Sequence, residues 1–362
     1  MKVFQGNPVM ASKKPTVIDM FSGCGGLSRG FMDAGYDVLL GVDHEEIALK
    51  TFKHNHGDAI AFHGDLFKKE TLLDMARLIK TKKVDVIIGG PPCQGFSLTG
   101  TRQESDARNM LFQSMVEAVK LFQPKAFVLE NVPGLATLYD GKAKKAILEQ
   151  FGNLGYTINF QVLYAPDYGV PQIRKRIFFV GLKNGEQFSF PEPTLTPEKY
   201  VSCEQAIADL PSLENDLGKD KMEYPTSPLS KYQEYMRKNS SILLNHVGTV
   251  HTELVKSVIS LVPEGGNHKD LPPGVGDSRK FNEAWTRYHS QKPSKTIDTG
   301  HRNHFHYKWN RVPTVRENAR LQSFPDDFEF FGNKTQQYRQ VGNAVPPLLG
   351  FHLAKALKKH LD

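Results

Sequence analysis

Cysteine is almost absent from this chain. Its 362 residues hold three, Cys24, Cys93 and Cys203. They lie far apart and form no Cys-x-x-Cys pair. That argues against a structural zinc site or a disulfide framework, and for a reducing compartment. Long apolar runs are missing too: none approaches the ~20 residues that a membrane span needs. Met1 to Lys14 contains no apolar stretch of the kind that opens a secretory signal, so a cytoplasmic protein without membrane contact is expected. Internal repeats and low-complexity tracts are not found. What is present fits a soluble globular protein: 39% hydrophobic and 23% charged residues. The length allows one large domain and a smaller one. The formal charge of +7 is compatible with a nucleic-acid partner.

The first half alternates strand and helix signals. Strands are predicted at Thr16–Met20, Val38–Val42, Val84–Ile88 and Ala126–Leu129. Helices are predicted near Leu27–Ala34, Glu45–His54 and Met110–Leu121. This order predicts an α/β fold with a parallel, doubly wound, Rossmann-like sheet. Tyr156–Tyr164 and Arg176–Leu182 read as two further strands. From about 187 to 305 the pattern fades into Pro, Gly, Ser and charge, with Pro191, Pro193 and Pro197 marking a boundary. One helix is expected there, opened by the capping box Ser202-Cys203-Glu204-Gln205. A second capping box, Thr314-Val315-Arg316-Glu317, opens a helix through Leu321, and Pro347–Lys359 reads as a closing helix. The expected organisation is a main domain at 1–186, a smaller irregular domain at 187–305, and a return to the main domain at 306–362.

Three loops at predicted strand ends carry chemistry. Phe21-Ser22-Gly23-Cys24-Gly25-Gly26 follows a strand and opens a helix. Its glycines let a ligand approach the backbone, and a helix N-terminus favours an anion. Asp43 lies 20 residues after Gly23, where an acid takes ribose hydroxyls. Ser28 holds the third glycine position of a dinucleotide fingerprint. The loop therefore fits a nucleoside cofactor with a small anionic end, such as S-adenosylmethionine, at least as well as a dinucleotide. Asp65, in His63-Gly64-Asp65-Leu66, ends a short β segment. It suits an adenine amino group or a plain surface turn.

Cys93 stands in Gly89-Gly90-Pro91-Pro92-Cys93-Gln94-Gly95-Phe96-Ser97. A lone cysteine is usually a small buried hydrophobe, the reading given to Cys24 and Cys203. Cys93 differs because prolines and glycines hold it at a strand end, where α/β folds bind ligands and a thiolate acts as a nucleophile. Glu130 ends the next strand, and an acid in that position is a proton donor when its pKa is raised. In Gln172-Ile173-Arg174-Lys175-Arg176, strand alternation places Arg174 and Arg176 on one face, suited to phosphate or a polar base edge. Between Arg279 and Arg320 many cations alternate with Trp285, Tyr288, Phe305, Tyr307 and Trp309, a mixture read as a surface facing nucleic acid. His301, His304 and His306 fit no zinc spacing, so no metal is expected.

Together these motifs resemble the cytosine-C5 DNA methyltransferases of bacterial restriction-modification systems. The resemblance rests on Asp19-Met20-Phe21-Ser22-Gly23-Cys24-Gly25-Gly26, Pro91-Pro92-Cys93-Gln94, Glu130-Asn131-Val132, Gln172-Ile173-Arg174-Lys175-Arg176, Arg316-Glu317-Asn318-Ala319-Arg320-Leu321-Gln322 and Gly342-Asn343-Ala344-Val345. These matches cover the chain outside about 187–305. The resemblance implies catalytic roles for Cys93 (nucleophile on cytosine C6), Glu130 (N3 and the exocyclic amine), Arg176 (the O2 side) and Arg174. It implies a site for S-adenosylmethionine made by Phe21, Ser22, Gly23, Gly25, Gly26, Asp43, His44, Asp65, Leu66, Pro92, Leu111, Asn343 and the backbone of Ala344, which stands where the family often has Ser. Gln94, Ser97, Arg108 and Arg302 are implied as DNA contacts, with Asn109 replacing a frequent Gly. The variable region, 187–305, is implied to be a target-recognition domain. The implied partner is duplex DNA, with a cognate restriction endonuclease acting on the same site without stable contact. A monomer in the bacterial cytoplasm, associated with the nucleoid, is expected.

Three other readings compete. A related branch methylates tRNA, but its Cys-Phe-Thr tripeptide is not found here. An inert DNA-binding homologue usually loses the Cys or the Glu, and both are present. A nicotinamide oxidoreductase accounts for the glycine loop and Asp43 but leaves the Pro-Pro-Cys-Gln and Glu-Asn-Val elements without a role.

Overall fold

The structure is a computed structural model describing residues 14–80, 83–92, 110–138, 140–275, 284–300 and 303–361. Cys93, Gln94, Ser97, Arg108 and Arg302 lie outside these residues, as does the side chain of Leu111. The first half follows the expected alternation: β1 (Thr16–Met20), α1 (Gly26–Asp33), β2 (Asp37–Asp43), α2 (Glu46–Asn55), β3 (Ile60–His63), α3 (Lys69–Ile79), β4 (Val86–Gly89), α4 (Met110–Phe122), β5 (Ala126–Asn131), α5 (Lys142–Asn153), β6 (Thr157–Tyr164) and β7 (Lys175–Leu182). The seven strands form one sheet in the order β3-β2-β1-β4-β5-β7-β6. Val17, Ile18, Val86, Ile87, Val128 and Leu129 are fully buried, because the middle strands of such a sheet are covered on both faces.

The sheet departs from the all-parallel expectation at one side. β1 to β5 pair in parallel, whereas β7 runs antiparallel to both β5 and β6. The reason lies in the connections. A helix, α5, links β5 to β6 and lets the chain cross over to a parallel position. Only a short stretch with one turn of 3₁₀ helix, Ala165–Tyr168, links β6 to β7, too little for a crossover, so the chain turns back antiparallel.

The second half contains α6 (Cys203–Ile207), α7 (Lys231–Arg237), α8 (Glu253–Leu261), α9 (Val315–Leu321), α10 (Lys334–Asn343) and α11 (Pro347–Lys358). Both predicted capping boxes form, at Ser202 with Gln205 and at Thr314 with Glu317. Among its described residues the region 187–305 thus holds three α-helices where one was expected. α7 and α8 open on the Ser230 and Thr252 side chains. Ser230-x-x-Gln233 has the capping-box spacing, although the Gln233 side chain accepts from Leu229 N–H instead, while Val255 leaves Thr252 a single cap with a weaker signature.

One face of the sheet packs Phe31, Val86, Val128 and Phe178 with Leu349, Leu353 and Leu357 of α11, and α1 lies against α11. The opposite face packs Met75, Met115, Phe127, Ile147 and Phe151. A third cluster joins Cys24 to Cys203, Ala206, Ile207, Tyr288, Val315, Phe324, Tyr338 and Val341. The second half is therefore seated on the glycine loop through shared apolar burial.

Candidate functional site

Strand order reverses between β1 and β4, neighbours whose following strands lie on opposite sides. Ligands bind at such a point, beyond the carboxyl ends of the strands. The glycine loop leaves β1 there, and Gly90-Pro91-Pro92 leaves β4 beside it.

The glycine loop is wound tightly. Phe21, Gly23 and Gly25 all adopt positive φ (58°, 52° and 90°). A Cβ at Gly25 would lie 2.2 Å from the His56 ring, so glycine is required there by both conformation and space. The ring stacks on Phe52 with centroids 4.0 Å apart. Its Nδ1 hydrogen-bonds the Phe52 carbonyl at 2.9 Å, and its Nε2 lies 3.2 Å from Ser28 Oγ. A carbonyl only accepts, so Nδ1 carries the proton and the neutral ring leaves Nε2 as an acceptor. Burial pushes the His56 pKa down to about 4, which keeps this support neutral.

Asp43 ends β2 and anchors the loop. Its Oδ2 accepts from the Gly23 N–H at 2.8 Å, and its Oδ1 accepts from the Glu45 N–H at 2.9 Å. The exposed His44 lies beside it, with Nδ1 3.2 Å from Asp43 Oδ1. Gly64 N–H donates to the Asp43 carbonyl at 3.0 Å, which carries Asp65 and the buried Leu66 to the same rim. Asp65 Oδ1 accepts from Phe67 N–H at 3.0 Å. From the other end of the chain, Ala344 and Val345 abut the start of α1: a Cβ on Gly26 would lie 2.5 Å from the Val345 carbonyl and 3.0 Å from Ala344 Cβ. Asn343 is the last, exposed residue of α10.

These residues suit a nucleoside with a charged amino-acid end. α1 has no side-chain cap and no acid in its first turn, which leaves its amide donors open to an anion. Ser22 Oγ and Asp19 Oδ2 are buried without hydrogen-bond partners. Buried polar atoms are normally satisfied, so these two orphans, one near the end of β1 and one in the loop that follows it, suit a polar ligand. Asp19 was missed as a site residue in the sequence. Its signal was present: an acid inside the fully buried strand Thr16-Val17-Ile18-Asp19-Met20. Burial, reinforced by Asp43 and opposed by the Ser28 hydrogen bond, raises its pKa to about 7. His56 left no comparable signal.

The second half of the site lies at the ends of β4, β5 and β7. Glu130 pairs with Phe178 across β5 and β7. Its Oε1 accepts from Arg176 Nε at 2.9 Å, with both side chains largely buried. Burial raises the Glu130 pKa, while Arg176 and then Arg174 hold it down. A Cβ on Gly90 would come within 2.7 Å of Glu130 Oε2, so glycine gives the carboxyl its room. Asn131 Nδ2 donates to the Pro91 carbonyl at 2.8 Å, tying the end of β5 to the loop that leads through the exposed Pro92 into Cys93.

Two expectations are revised. Arg174 and Arg176 both act on Glu130 through their charge but hydrogen-bond different partners. β7 begins at Lys175, so Arg174 precedes the alternating stretch, and it turns instead to the Gly342 and Ala344 carbonyls. The mixed basic and aromatic stretch is largely interior rather than a surface: Arg287, Tyr288, Phe305, Tyr307, Arg311, Arg316 and Arg320 are buried. Their guanidiniums are spent on carbonyls and carboxylates, Arg311 on Glu317 and Arg320 on Asp209 and Asp326, because a buried charge must be paired. Lys292, Lys295 and Lys308 remain exposed. His306 Nδ1 accepts from the Lys308 and Trp309 amides. Cys24 and Cys203 are buried, and burial pushes the Cys24 thiol up to about 12. Among the described residues no helix is long and apolar enough to cross a membrane.

Known proteins share this arrangement. The chain is 42% identical to the type II methyltransferase M1.HphI of Haemophilus parahaemolyticus, over 99% of this chain and 91% of that one. It is 39% identical to the type II methyltransferase M.DdeI of Desulfomicrobium norvegicum, over 96% and 89%. Among solved structures, a prophage-encoded E. coli protein described as a DNA modification methyltransferase superposes with a TM-score of 0.79 at 27% identity, over 96% of this chain and 99% of that one. The Dnmt2 methyltransferase of S. pombe shares the fold, with a TM-score of 0.62 at 16% identity over 96% and 99%. Residues 15–359 match the C-5 cytosine-specific DNA methylases, and the chain belongs to that family as a DNA cytosine-C5 methyltransferase of the restriction-modification type.

Proposed function

We propose that this enzyme moves the methyl group of S-adenosylmethionine to C5 of a cytosine flipped out of a specific duplex DNA sequence, through a transient Cys93–C6 bond. The observation that carries this reading is the Glu130 carboxyl. It is buried at a strand end, aligned by Arg176, and joined through Asn131 to the loop that leads into Cys93.

Cytosine C5 is a weak nucleophile. The Cys93 thiolate adds to C6, and the electron pair of the C5–C6 double bond shifts through the ring as Glu130 gives a proton to N3. Arg176 keeps the carboxyl turned toward the base and faces its O2 side. C5, now enamine-like, takes the methyl as the S–CH3 bond breaks, with S-adenosylhomocysteine as the leaving group. A water removes the C5 proton, the pair left behind restores the double bond, and the thiolate departs while Glu130 recovers its proton. A stacked base cannot reach these groups, so the base leaves the helix.

When bound, S-adenosylmethionine supplies an electrophilic methyl on a sulfonium. Phe21, Ser22, Gly23, Gly25 and Gly26, with Asp43, His44, Asp65, Leu66, Pro92, Leu111, Asn343 and the Ala344 backbone, hold it beside the base. Gln94, Ser97, Arg108 and Arg302 contact DNA, and residues 187–305 act as the target-recognition domain between the two parts of the catalytic domain. The enzyme works as a monomer in the bacterial cytoplasm, alongside an endonuclease that cuts the same sequence.

Nucleoside mass spectrometry tests the reaction. Protein, S-adenosylmethionine and unmethylated plasmid are expected to yield 5-methylcytosine in DNA and none in a parallel tRNA sample. Methylcytosine in the tRNA alone would overturn the substrate. Cys93→Ser is expected to abolish transfer while retaining cofactor binding, and full activity in that variant would overturn the covalent step.

A further inference from the structure

The two arginines of Gln172-Ile173-Arg174-Lys175-Arg176 end in different places. Arg176 reaches Glu130. Arg174 is 1% exposed and donates through Nη2 to the Gly342 carbonyl at 2.9 Å and the Ala344 carbonyl at 3.0 Å. Its Nη1 lies 3.4 Å from both the Ile297 carbonyl and Gln172 Oε1. Gln172 Oε1 also accepts from Ile297 N–H at 3.1 Å, and Gln172 Nε2 donates to Gln322 Oε1. Gln322 Nε2 donates to the same Ala344 carbonyl at 2.6 Å. The packing is close: a Cβ on Gly342 would lie 2.2 Å from the Asp298 carbonyl. Three pieces of chain thus meet on one guanidinium. They are the approach to β7, the C-terminal end of α10, and the segment Ser294–Asp298 from the irregular region.

A guanidinium presents fixed donors to several carbonyls at once, a geometry that lysine cannot reproduce. The carbonyls of Gly342 and Ala344 flank Asn343, so fixing both fixes the residue between them against the start of α1. We infer that Arg174 is a positioning residue for the cofactor side of the site, clamping Gly342-Asn343-Ala344 against the glycine loop, while Arg176 is the arginine that pairs with Glu130 on the base side. This division rests on the reading of Asn343 and Ala344 as part of the cofactor site.

The test compares wild-type protein with Arg174→Met, Arg174→Lys and Arg176→Gln. S-adenosylhomocysteine affinity is measured by calorimetry, and KM for DNA and kcat by methyl transfer. Arg174→Met is expected to weaken S-adenosylhomocysteine by about tenfold or more, the worth of one charged hydrogen bond, with KM for DNA within about twofold. Arg174→Lys falls between. Arg176→Gln is expected to leave S-adenosylhomocysteine affinity unchanged and to lower kcat. Equal affinity in wild type and Arg174→Met overturns the division of roles and leaves the cofactor site standing. No binding by wild type overturns the cofactor site and the inference with it. Should Arg174→Met not fold, Gln322→Ala removes a neutral donor from the Ala344 carbonyl. There, about threefold weaker S-adenosylhomocysteine binding supports the clamp, and unchanged binding overturns it.

Discussion

Replacing Asp19 by Asn should change how the stability of this enzyme depends on pH. Asp19 is 2% exposed in β1, an interior strand of the sheet. Burial, with the Asp43 charge adding to it, lifts its pKa from the usual 3.8 to about 7. The folded protein therefore holds this proton up to about pH 7, whereas the unfolded chain releases it near pH 4. Between those values the native state binds more protons, so this group's contribution to stability falls as pH rises. A displacement of that size corresponds to about 4 kcal/mol between the two ends of the window, or roughly 5–10 °C in melting temperature for a chain of this size. Asn keeps the shape and has no proton to lose. Melting curves of the ligand-free proteins, recorded at intervals from pH 4.5 to 8.5, are expected to converge at the acid end. The wild type should fall progressively below Asp19→Asn as pH approaches 7, after which the gap should stay constant. Parallel curves across the range would show that Asp19 is ionised throughout and would refute the reasoning.

Glu130→Gln keeps the hydrogen bond from Arg176 but removes the proton given to N3. Transfer should slow by about 10²- to 10⁴-fold without loss of melting temperature, and a drop of less than tenfold would remove Glu130 from the chemistry. In Arg176→Gln the cation that holds the Glu130 pKa down is gone. Residual activity should then persist to higher pH, seen as an upward move of the alkaline limb of kcat/KM; a downward move contradicts the pairing. Arg320 binds Asp326 through Nε at 2.9 Å and Nη2 at 2.7 Å, and also Asp209. Arg320→Met takes the main partner from two buried carboxylates, leaving Asp209 with Arg237 and Asp326 with Tyr224 and Arg316. It should cost about 3–5 kcal/mol, measurable by urea unfolding; a cost below about 1 kcal/mol would mean that these remaining partners suffice.

Much of the framework was legible in the chain because it rests on local rules. Short apolar runs and helical stretches located β1, β2, β4, β5, β6, β7, α1, α2, α4 and α11, and paired cap residues located α6 and α9. The antiparallel β7 was not legible, since pairing direction depends on how much chain is available to cross over. α8 was missed because a lone Thr252 cap leaves a weak local signal, and α7 was missed although Ser230-x-x-Gln233 has the capping-box spacing. The stretch around Arg287 to Arg320 read as a surface because composition records charge and aromaticity but not burial. Only the fold shows that Asp209, Glu317 and Asp326 neutralise those arginines from within.

The sequence by itself determined the chemistry on offer: a glycine turn after a strand, a thiol in a Pro-Pro-Cys-Gln loop, an acid at a strand end and a pair of arginines. These are covalent facts about residue types at short spacings, and local physics is enough to interpret them. Tertiary structure decided what each group faces. It set Glu130 against Arg176, turned Arg174 away to α10, seated His56 beneath Gly25, and buried Asp19 deeply enough to move its titration by several pH units. Contacts between residues such as Arg174 and Ala344, or Arg29 and Asp327, join positions far apart in the chain. No local pattern encodes such contacts, because they exist only once the sheet and the returning helices have brought the two ends of the molecule together.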